Sequence, residues 1–517
     1  MKFLDTTFAS RETLKKELYS LLKIPDFSEQ GPSLFDLVEN LTGKLIDGIS
    51  FVIEYPYVDR HYRDTYYTFY SSKFLETERE CFRVHIFNRK LNKDNIFDRN
   101  SKINDDYLGF FIIRPLKTHI LGRSLISPKA FQERKFVCCL MEDRVSLFGY
   151  ELTICGFPHI AQDEETHTCA ESALWCLYEY YGSKYSQYKP LLPSQIIEPL
   201  QNNAERRILP SRGLNKNELA RCLNSNGFQS LVYPISPRFT KQKLFFRLLN
   251  TYIESGIPLL LTLEGEASSG HVVLVIGHEE NAKIYYKEGN STPWAEYASY
   301  HRVDVSFIQK KLIFIDDNLP PYHTDLLKPY QRPDKNPGLK YHNYNVSSFI
   351  VPLPAHMFLA AETVYDLVEK VSIDPMIGFE KRKEKKITRL LLTSSYSFKK
   401  FVFEHDNKMD PNFKETLFLP LAFPRFIWIC EIYEKPEFIK DGYCSGLLIM
   451  DATSDGKSLA SVLFYILDGN LFSHNGFKWD TEPLKVIPFK MQTYRNNLKG
   501  EWCEWMTKKT PCWKRKF

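Results

Sequence analysis

The sequence predicts a multidomain α+β protein, and three observations support this fold class. A chain of 517 residues is longer than one ordinary hydrophobic core supports, so two or three domains are expected. Hydrophobic residues make up 43% and aromatic residues 15%, which suffices for packed cores and excludes wholesale disorder. Helix-like and strand-like segments also change their order along the chain. These changes place domains at residues 1–150, 151–355 and 356–517.

The first domain, whose role the sequence does not indicate, has an α+β pattern. Leucines at helical spacing predict a helix that reaches residue 22, and a second helix is expected after Ser33, with Asp36 as its capping-box partner. Arg114 and Pro115 end the last strand-like run, because proline stops strand pairing. Strands are predicted at residues 49–57, 81–87 and 107–113.

In the central domain, helices come before strands. Helices are predicted from Cys169 to a stop at Gly182, and at residues 216–224 and 240–254. Strands are predicted at residues 258–264, 271–278, 282–287 and 312–315. A helical half and a sheet half leave a cleft between them, which is a usual place for a site. The proline-rich residues 319–337 predict a loop that either walls this cleft or only connects elements.

The last domain, again of unknown role, also has an α+β pattern. An apolar helix is predicted first, and the basic run at residues 380–386 is interpreted as a solvated face or linker. The predicted helix covers residues 357–371, and the predicted strands cover residues 426–433, 446–451 and 459–467.

Charge and cysteine content exclude several classes of protein. The 68 basic and 63 acidic residues leave a net charge of +5, which is too small for this length to indicate nucleic-acid binding. Eleven cysteines at irregular spacings do not form a disulfide framework. The first residues lack a signal-peptide core, and no run of eighteen apolar residues occurs. We therefore expect a cytoplasmic protein with no membrane or nucleic-acid partner; its oligomeric state stays open.

Cys169 is the candidate nucleophile, because it stands where a loop becomes a strong helix pattern. A thiol in the first helical turn feels the positive end of the helix dipole, which is expected to lower its pKa from about 8.5. The alternative is a small core residue, as expected for Cys176 on the same helix.

His271 and Asp316 are the candidate base and its orienting acid. His271 opens a buried strand pattern after small residues, and Asp316 directly follows the last strand of the domain. Asp317 is the alternative acid, although neighbouring side chains of an extended chain point to opposite faces. His278, at the far end of the strand, is expected to point away. The alternative is that His271 has only a structural role and that Asp316, Asp317 and Asn318 only form a turn.

Gln162, seven residues before Cys169, is the candidate oxyanion donor beside the backbone N–H of the cysteine. An ordinary surface glutamine is the alternative. No cofactor is expected: the sequence has no cysteine or histidine pairs at zinc spacing, no Walker motif and no GxGxxG.

Together, Gln162, Cys169, His271 and Asp316 resemble the papain-like cysteine peptidases. The resemblance is closest to the branch that includes bacterial peptidases processing double-glycine leader peptides, and it covers about two-fifths of the chain. It implies a central papain-like domain, a Cys-His-Asp triad and a glutamine in the oxyanion hole. Ala170 stands where the family usually has glycine, and the family's glutamine stands six residues before the cysteine.

The sequence therefore predicts a cysteine peptidase that hydrolyses a peptide or isopeptide bond in a protein or peptide substrate. The same triad also serves thiol acyltransferases and deamidases, because the fate of an acyl-enzyme depends on the nucleophile that reaches it. A non-catalytic binding scaffold that keeps the fold is the other alternative.

Overall fold

The computed structural model describes residues 5–22, 36–74, 76–97, 102–116, 119–201, 209–235, 239–265, 270–279, 302–307, 310–327, 344–379, 386–434, 442–474, 479–483 and 489–500. Within these residues, the strands form three seven-stranded sheets and one two-stranded sheet. Helices pack against mainly antiparallel sheets, so the α+β prediction is confirmed.

The first sheet takes its strands from the amino-terminal part of the chain. The helices there are α1 Arg11–Leu22, α2 Asp36–Gly43 and α3 Arg60–Thr68. The strands are β1 Asp5–Ala9, β2 Ser50–Tyr57, β3 Cys81–Phe87, β4 Tyr107–Ile113, β5 Leu121–Ile126, β6 Phe136–Cys138, β7 Met141–Leu147 and β8 Tyr150–Ile160. All but β6 form one antiparallel sheet in the order β1-β2-β3-β4-β5-β8-β7. The three predicted strands are confirmed, whereas β1 and β5 to β8 were not predicted, because their sequences lack a long apolar run.

The second sheet belongs to the middle of the chain. The helices are α4 Cys169–Lys184, α5 Pro193–Gln201, α6 Lys216–Ser225 and α7 Phe239–Glu254. The strands are β9 Phe228–Pro234, β10 Leu259–Glu264, β11 Gly270–Glu279, β12 Arg302–Asp304, β13 Leu312–Ile315, β14 His323–Asp325 and β15 Asn345–Pro354. The sheet order is β14-β13-β11-β10-β15-β9, with β6 also paired to β11.

Helix α4 packs against both of the first two sheets, since it contacts β8 of the first and β11 of the second. The predicted stop at Gly182 was wrong, because the helix continues to Lys184. A Cβ at Gly182 would lie 2.7 Å from Cδ of Pro190. Gly182 therefore serves the close approach of another segment rather than the end of the helix.

The third sheet follows in the carboxy-terminal part. The helices are α8 Ala361–Ile373, α9 Ser395–His405 and the short α10 Pro411–Phe413. The strands are β16 Lys386–Ser394, β17 Phe426–Tyr433, β18 Tyr443–Cys444, β19 Gly446–Asp451, β20 Val462–Leu467, β21 Asn470–His474, β22 Trp479–Pro483 and β23 Met491–Gln492. The order is β12-β16-β17-β19-β20-β21-β22, and β18 pairs with β23.

The three sheets contribute to a common apolar core, which includes residues from Ala9 to Leu498, and the third sheet has a second core of its own, from Val305 to Tyr494. Strands also cross the proposed domain boundaries, since β8 lies in the first sheet, β6 in the second and β12 in the third. The boundaries stay predictions. The predicted strand at residues 282–287 lies outside the described residues, as does the basic run at 380–386 apart from Lys386.

Candidate functional site

Cys169, the predicted nucleophile, is the first residue of α4. The Glu171 carboxylate accepts hydrogen bonds from the N–H and the hydroxyl of Thr168, at 3.1 and 2.7 Å, which fixes the start of the helix. Residues 170–181 are all buried, so every face of the helix over these residues packs against other parts of the protein. Cys169 itself, at the amino-terminal end of this buried helix, is only half-buried.

His271 and Asp316 meet because β11 and β13 are antiparallel. Leu274 pairs with Ile315, so the beginning of β11 lies beside the end of β13. His271 Nε2 lies 3.2 Å from Asp316 Oδ1 and 3.7 Å from Asp317 Oδ1. Asp316 is therefore the nearer of the two acids, and all three side chains are buried.

The carboxylate decides which nitrogen of His271 carries the proton. An ionised carboxylate only accepts hydrogen bonds, so Nε2 carries the proton and donates to Asp316. Nδ1 is then the nitrogen with a lone pair. This is the tautomer that a general base needs, since the orienting acid holds one ring nitrogen and the other takes the proton.

The Cys169 thiol lies against the residue that follows the histidine. The backbone N–H of Val272 is close enough to the Cys169 thiol to favour its thiolate form. Burial, followed by the nearby Asp317 carboxylate, raises the pKa of Cys169 to about 12. This is opposite to the lowered pKa expected from the helix dipole, because burial and carboxylates both disfavour a thiolate. At neutral pH the thiol is protonated, so any reaction needs a base that removes the proton.

Gln162, the predicted oxyanion donor, is hydrogen-bonded to residues 316–318, the turn after β13 that is called the acid turn. Its Nε2 donates to the Asn318 side-chain oxygen at 2.7 Å, and the Asn318 N–H donates to Asp316 Oδ1 at 2.9 Å. The glutamine amide, the turn and the acid thus form one hydrogen-bonded chain. The sequence around Asn318 indicates only a turn and gives no sign of this contact, since its partner is 156 residues away.

Three buried side chains, Arg114, Asp163 and His167, hold the loop between β8 and α4 and are called the loop brace. Arg114, fully buried, donates to the carbonyl of Gln162 at 3.0 Å and lies 3.2 Å from His167 Nε2. The Asp163 carboxylate accepts the backbone N–H groups of residues 165–167 at 2.7 to 3.0 Å. Burial raises the pKa of Asp163, but His167 and Arg114 outweigh burial and hold it well below its usual range. The brace sets the path of the chain into Cys169.

His159 joins the first sheet to the acid turn. It is fully buried on β8, and its Nε2 lies 3.1 Å from the carbonyl oxygens of both Asp316 and Leu319. Its Nδ1 lies 3.1 Å from the Ser124 hydroxyl on β5. Two carbonyl acceptors require the proton on Nε2, so Nδ1 accepts from Ser124. Burial lowers the pKa of His159 to about 4, and the ring is neutral.

We expect His159 to make the protein less stable in acid. Its folded pKa of about 4 lies below the ordinary value of 6.5, so the unfolded chain binds a proton first as the pH falls. The contribution is fully present above pH 6.5 and is lost between pH 6.5 and 4, by roughly 1.4 kcal/mol per pH unit. Urea unfolding of wild type and His159→Gln across this window measures it. Equal acid slopes for the two proteins would contradict the assignment.

His271, Asp316 and Asp317 also form a group of metal-ligating types. One ligand atom from each lies within 4.8 Å of the others. No metal site was expected, because the sequence has no metal-ligating residues at short spacings typical of such sites. His271 and Asp316 stand 45 residues apart, so a search for short spacings does not find this group. The three side chains are the ones that would hold a cation.

Two other histidines of this part of the chain, His278 and His167, make their contacts away from the acid turn. His278 Nε2 lies 3.0 Å from Glu254, at the far end of β11, as expected. His167 belongs to the loop brace and does not reach the acid turn in any described contact. Arg114 and His159 were missed by sequence analysis, since a single polar residue in or after a strand carries no local signal of its partners.

In the described part of the chain, no helix combines the length and apolarity needed to span a membrane. The function must be argued from the geometry above, because no protein-family model matches the chain and no curated protein matches its sequence.

Proposed function

We propose that the protein is a cysteine peptidase, with a papain-like central domain, that hydrolyses a peptide or isopeptide bond. One observation carries the proposal. A half-buried thiol at a helix start lies close to Val272 of β11, the residue after His271, and Nε2 of His271 is held by Asp316. A nucleophile, a base in the required tautomer and an orienting acid are the parts of a nucleophilic triad.

The chemistry follows from these roles. Nδ1 of His271 takes the proton of Cys169, and Sγ attacks the carbonyl carbon of the scissile bond. The negative charge on the carbonyl oxygen is met by the Cys169 backbone N–H and the Gln162 amide. As the C–N bond breaks, the imidazolium returns its proton to the leaving amine. Water, deprotonated by His271, then cleaves the thioester and releases the acid and the thiol.

The substrate class is a protein or peptide, because the triad acts on an acyl group bonded to nitrogen. Replacing water by an amine in the second step gives acyl transfer, and starting from a side-chain amide gives deamidation. Product analysis by mass distinguishes these fates once a substrate is found. The thiol chemistry of the first step is common to all of them.

The test is labelling of the full chain with a peptidyl epoxysuccinyl probe and with iodoacetamide, mapped by mass spectrometry. Cys155 on β8, also half-buried, is the internal reference thiol. We expect Cys169 to react faster than Cys155 at pH 7. His271→Ala should slow Cys169 by about 10²- to 10⁴-fold and leave Cys155 unchanged, since a positioned base contributes that much. Cys169→Ala removes the adduct.

A non-catalytic scaffold is the second candidate, favoured by the raised pKa of Cys169 and by the tie between Gln162 and Asn318. The same measurement separates the two functions. The peptidase proposal is wrong if Cys169 is labelled more slowly than Cys155 in the wild type, or if the His271→Ala substitution leaves the labelling rate of Cys169 unchanged.

A further inference from the structure

The two carboxylates beside His271 have the geometry of a metal site. A tetrahedral Zn²⁺ site with bonds of about 2.0 Å places its ligand atoms about 3.3 Å apart. His271 Nε2 lies 3.2 Å from Asp316 Oδ1 and 3.7 Å from Asp317 Oδ1. These two separations, with all three ligand atoms within 4.8 Å of one another, are compatible with ligands around one small cation. All three side chains are buried, so their positions are set by packing and not by solvent.

The charge of the group also suits a divalent cation. A triad needs one carboxylate to orient the imidazole, and here two converge on the same nitrogen. Metal ligation requires deprotonated ligands, and two carboxylates with an imidazole then carry a charge of −2, which a divalent cation neutralises. Imidazole nitrogen and carboxylate oxygen are ordinary zinc ligands, and three protein ligands leave the fourth position to water.

We propose that His271, Asp316 and Asp317 bind Zn²⁺ or a similar divalent transition cation, and that this ion switches the thiol chemistry off. The inhibitory role rests on the proposed function. The reason is the tautomer of His271. A neutral imidazole has a single N–H, so ligation through the Nε2 lone pair puts that proton on Nδ1. Nδ1 then has no lone pair for the Cys169 proton, and the thiol stays protonated.

Zinc binding is measured first, because it needs no labelling. The full chain is freed of metal with EDTA and titrated with Zn²⁺ against a chromophoric chelator. We expect stoichiometric binding by the wild type and by Cys169→Ala, and binding at least tenfold weaker in Asp317→Asn. Asp325→Asn is the matched control, since Asp325 pairs with Leu312 at the other end of the β13–β14 hairpin. His271→Gln provides a second ligand variant in case Asp317→Asn does not fold.

Inhibition is then read as the ratio of Cys169 labelling rates with and without Zn²⁺ within each variant. We expect zinc to slow the wild type and Asp325→Asn at least tenfold, reversibly with EDTA, and to leave Asp317→Asn unaffected at the same concentration. Binding that survives both ligand variants, or that disappears in Cys169→Ala, overturns the site. Binding by the wild type without slower labelling, or with faster labelling, overturns the inhibitory role.

A failure of the proposed function gives a different result. Zinc-free labelling of Cys169 would then be independent of His271, whereas the chelator titration would still report whether the three ligands bind zinc.

Discussion

Asp316→Asn is expected to slow the reaction of Cys169 with a peptidyl probe by about 10²- to 10⁴-fold. The Asp316 carboxylate accepts from Nε2 of His271 at 3.2 Å and from the Asn318 N–H at 2.9 Å. An asparagine amide that donates to Nε2 favours the tautomer with the proton on Nδ1, which cannot take the thiol proton. The measurement is the labelling rate at pH 7 in EDTA, with Cys155 as reference.

Asp317→Asn is the matched control, with an expected effect of opposite sign. The Asp317 carboxylate raises the pKa of Cys169, second only to burial, so its removal lowers that pKa. At a pH below the pKa, each unit by which the pKa falls increases the thiolate fraction tenfold. The rate profile of Asp317→Asn should therefore move to lower pH. Equal slowing of both variants would show that the two acids do not have separate roles.

Arg114→Met is expected to lower the free energy of unfolding by about 3–5 kcal/mol, the usual result of removing one partner from a buried charged network. Its guanidinium donates to the carbonyls of His119, Leu121 and Gln162 at 2.6, 2.7 and 3.0 Å. Methionine fills similar space, but it leaves these carbonyls and the charge of Asp163 without the guanidinium. Urea unfolding measures the loss.

The control for Arg114 is Arg144→Met. Arg144 pairs with Glu151 at 3.0 Å, and both side chains are about half exposed or more, at 47% and 61%. An exposed pair of this kind contributes at most about 1 kcal/mol. A loss for Arg114→Met no larger than for Arg144→Met would contradict the brace. Slower labelling of Cys169 only in Arg114→Met, under conditions where it remains folded, would show that the brace also positions the thiol.

The long apolar runs were readable from the sequence because burial imposes a local pattern. The runs at β4, β11 and β13 are buried along nearly their whole length, and apolar side chains on both faces mark such strands clearly. β7 contains three consecutive charged residues, Glu142 to Arg144, so it has neither an apolar run nor a regular alternation that predicts a strand. The end of α4 was also misplaced, because the role of Gly182 depends on Pro190.

The sequence by itself determined which candidate residue types stand at which element ends and in what order: a thiol at a helix start, a histidine near the start of a strand, and acids after the end of another. These are local patterns of residue type and period. Only the tertiary structure decided that Asp316 is nearer to His271 than Asp317, that burial raises the pKa of Cys169, and that Asn318, His159 and Arg114 hold the site. Each of these depends on atoms brought together by strand pairing and packing across many residues, and neither distance nor desolvation is encoded in a local pattern.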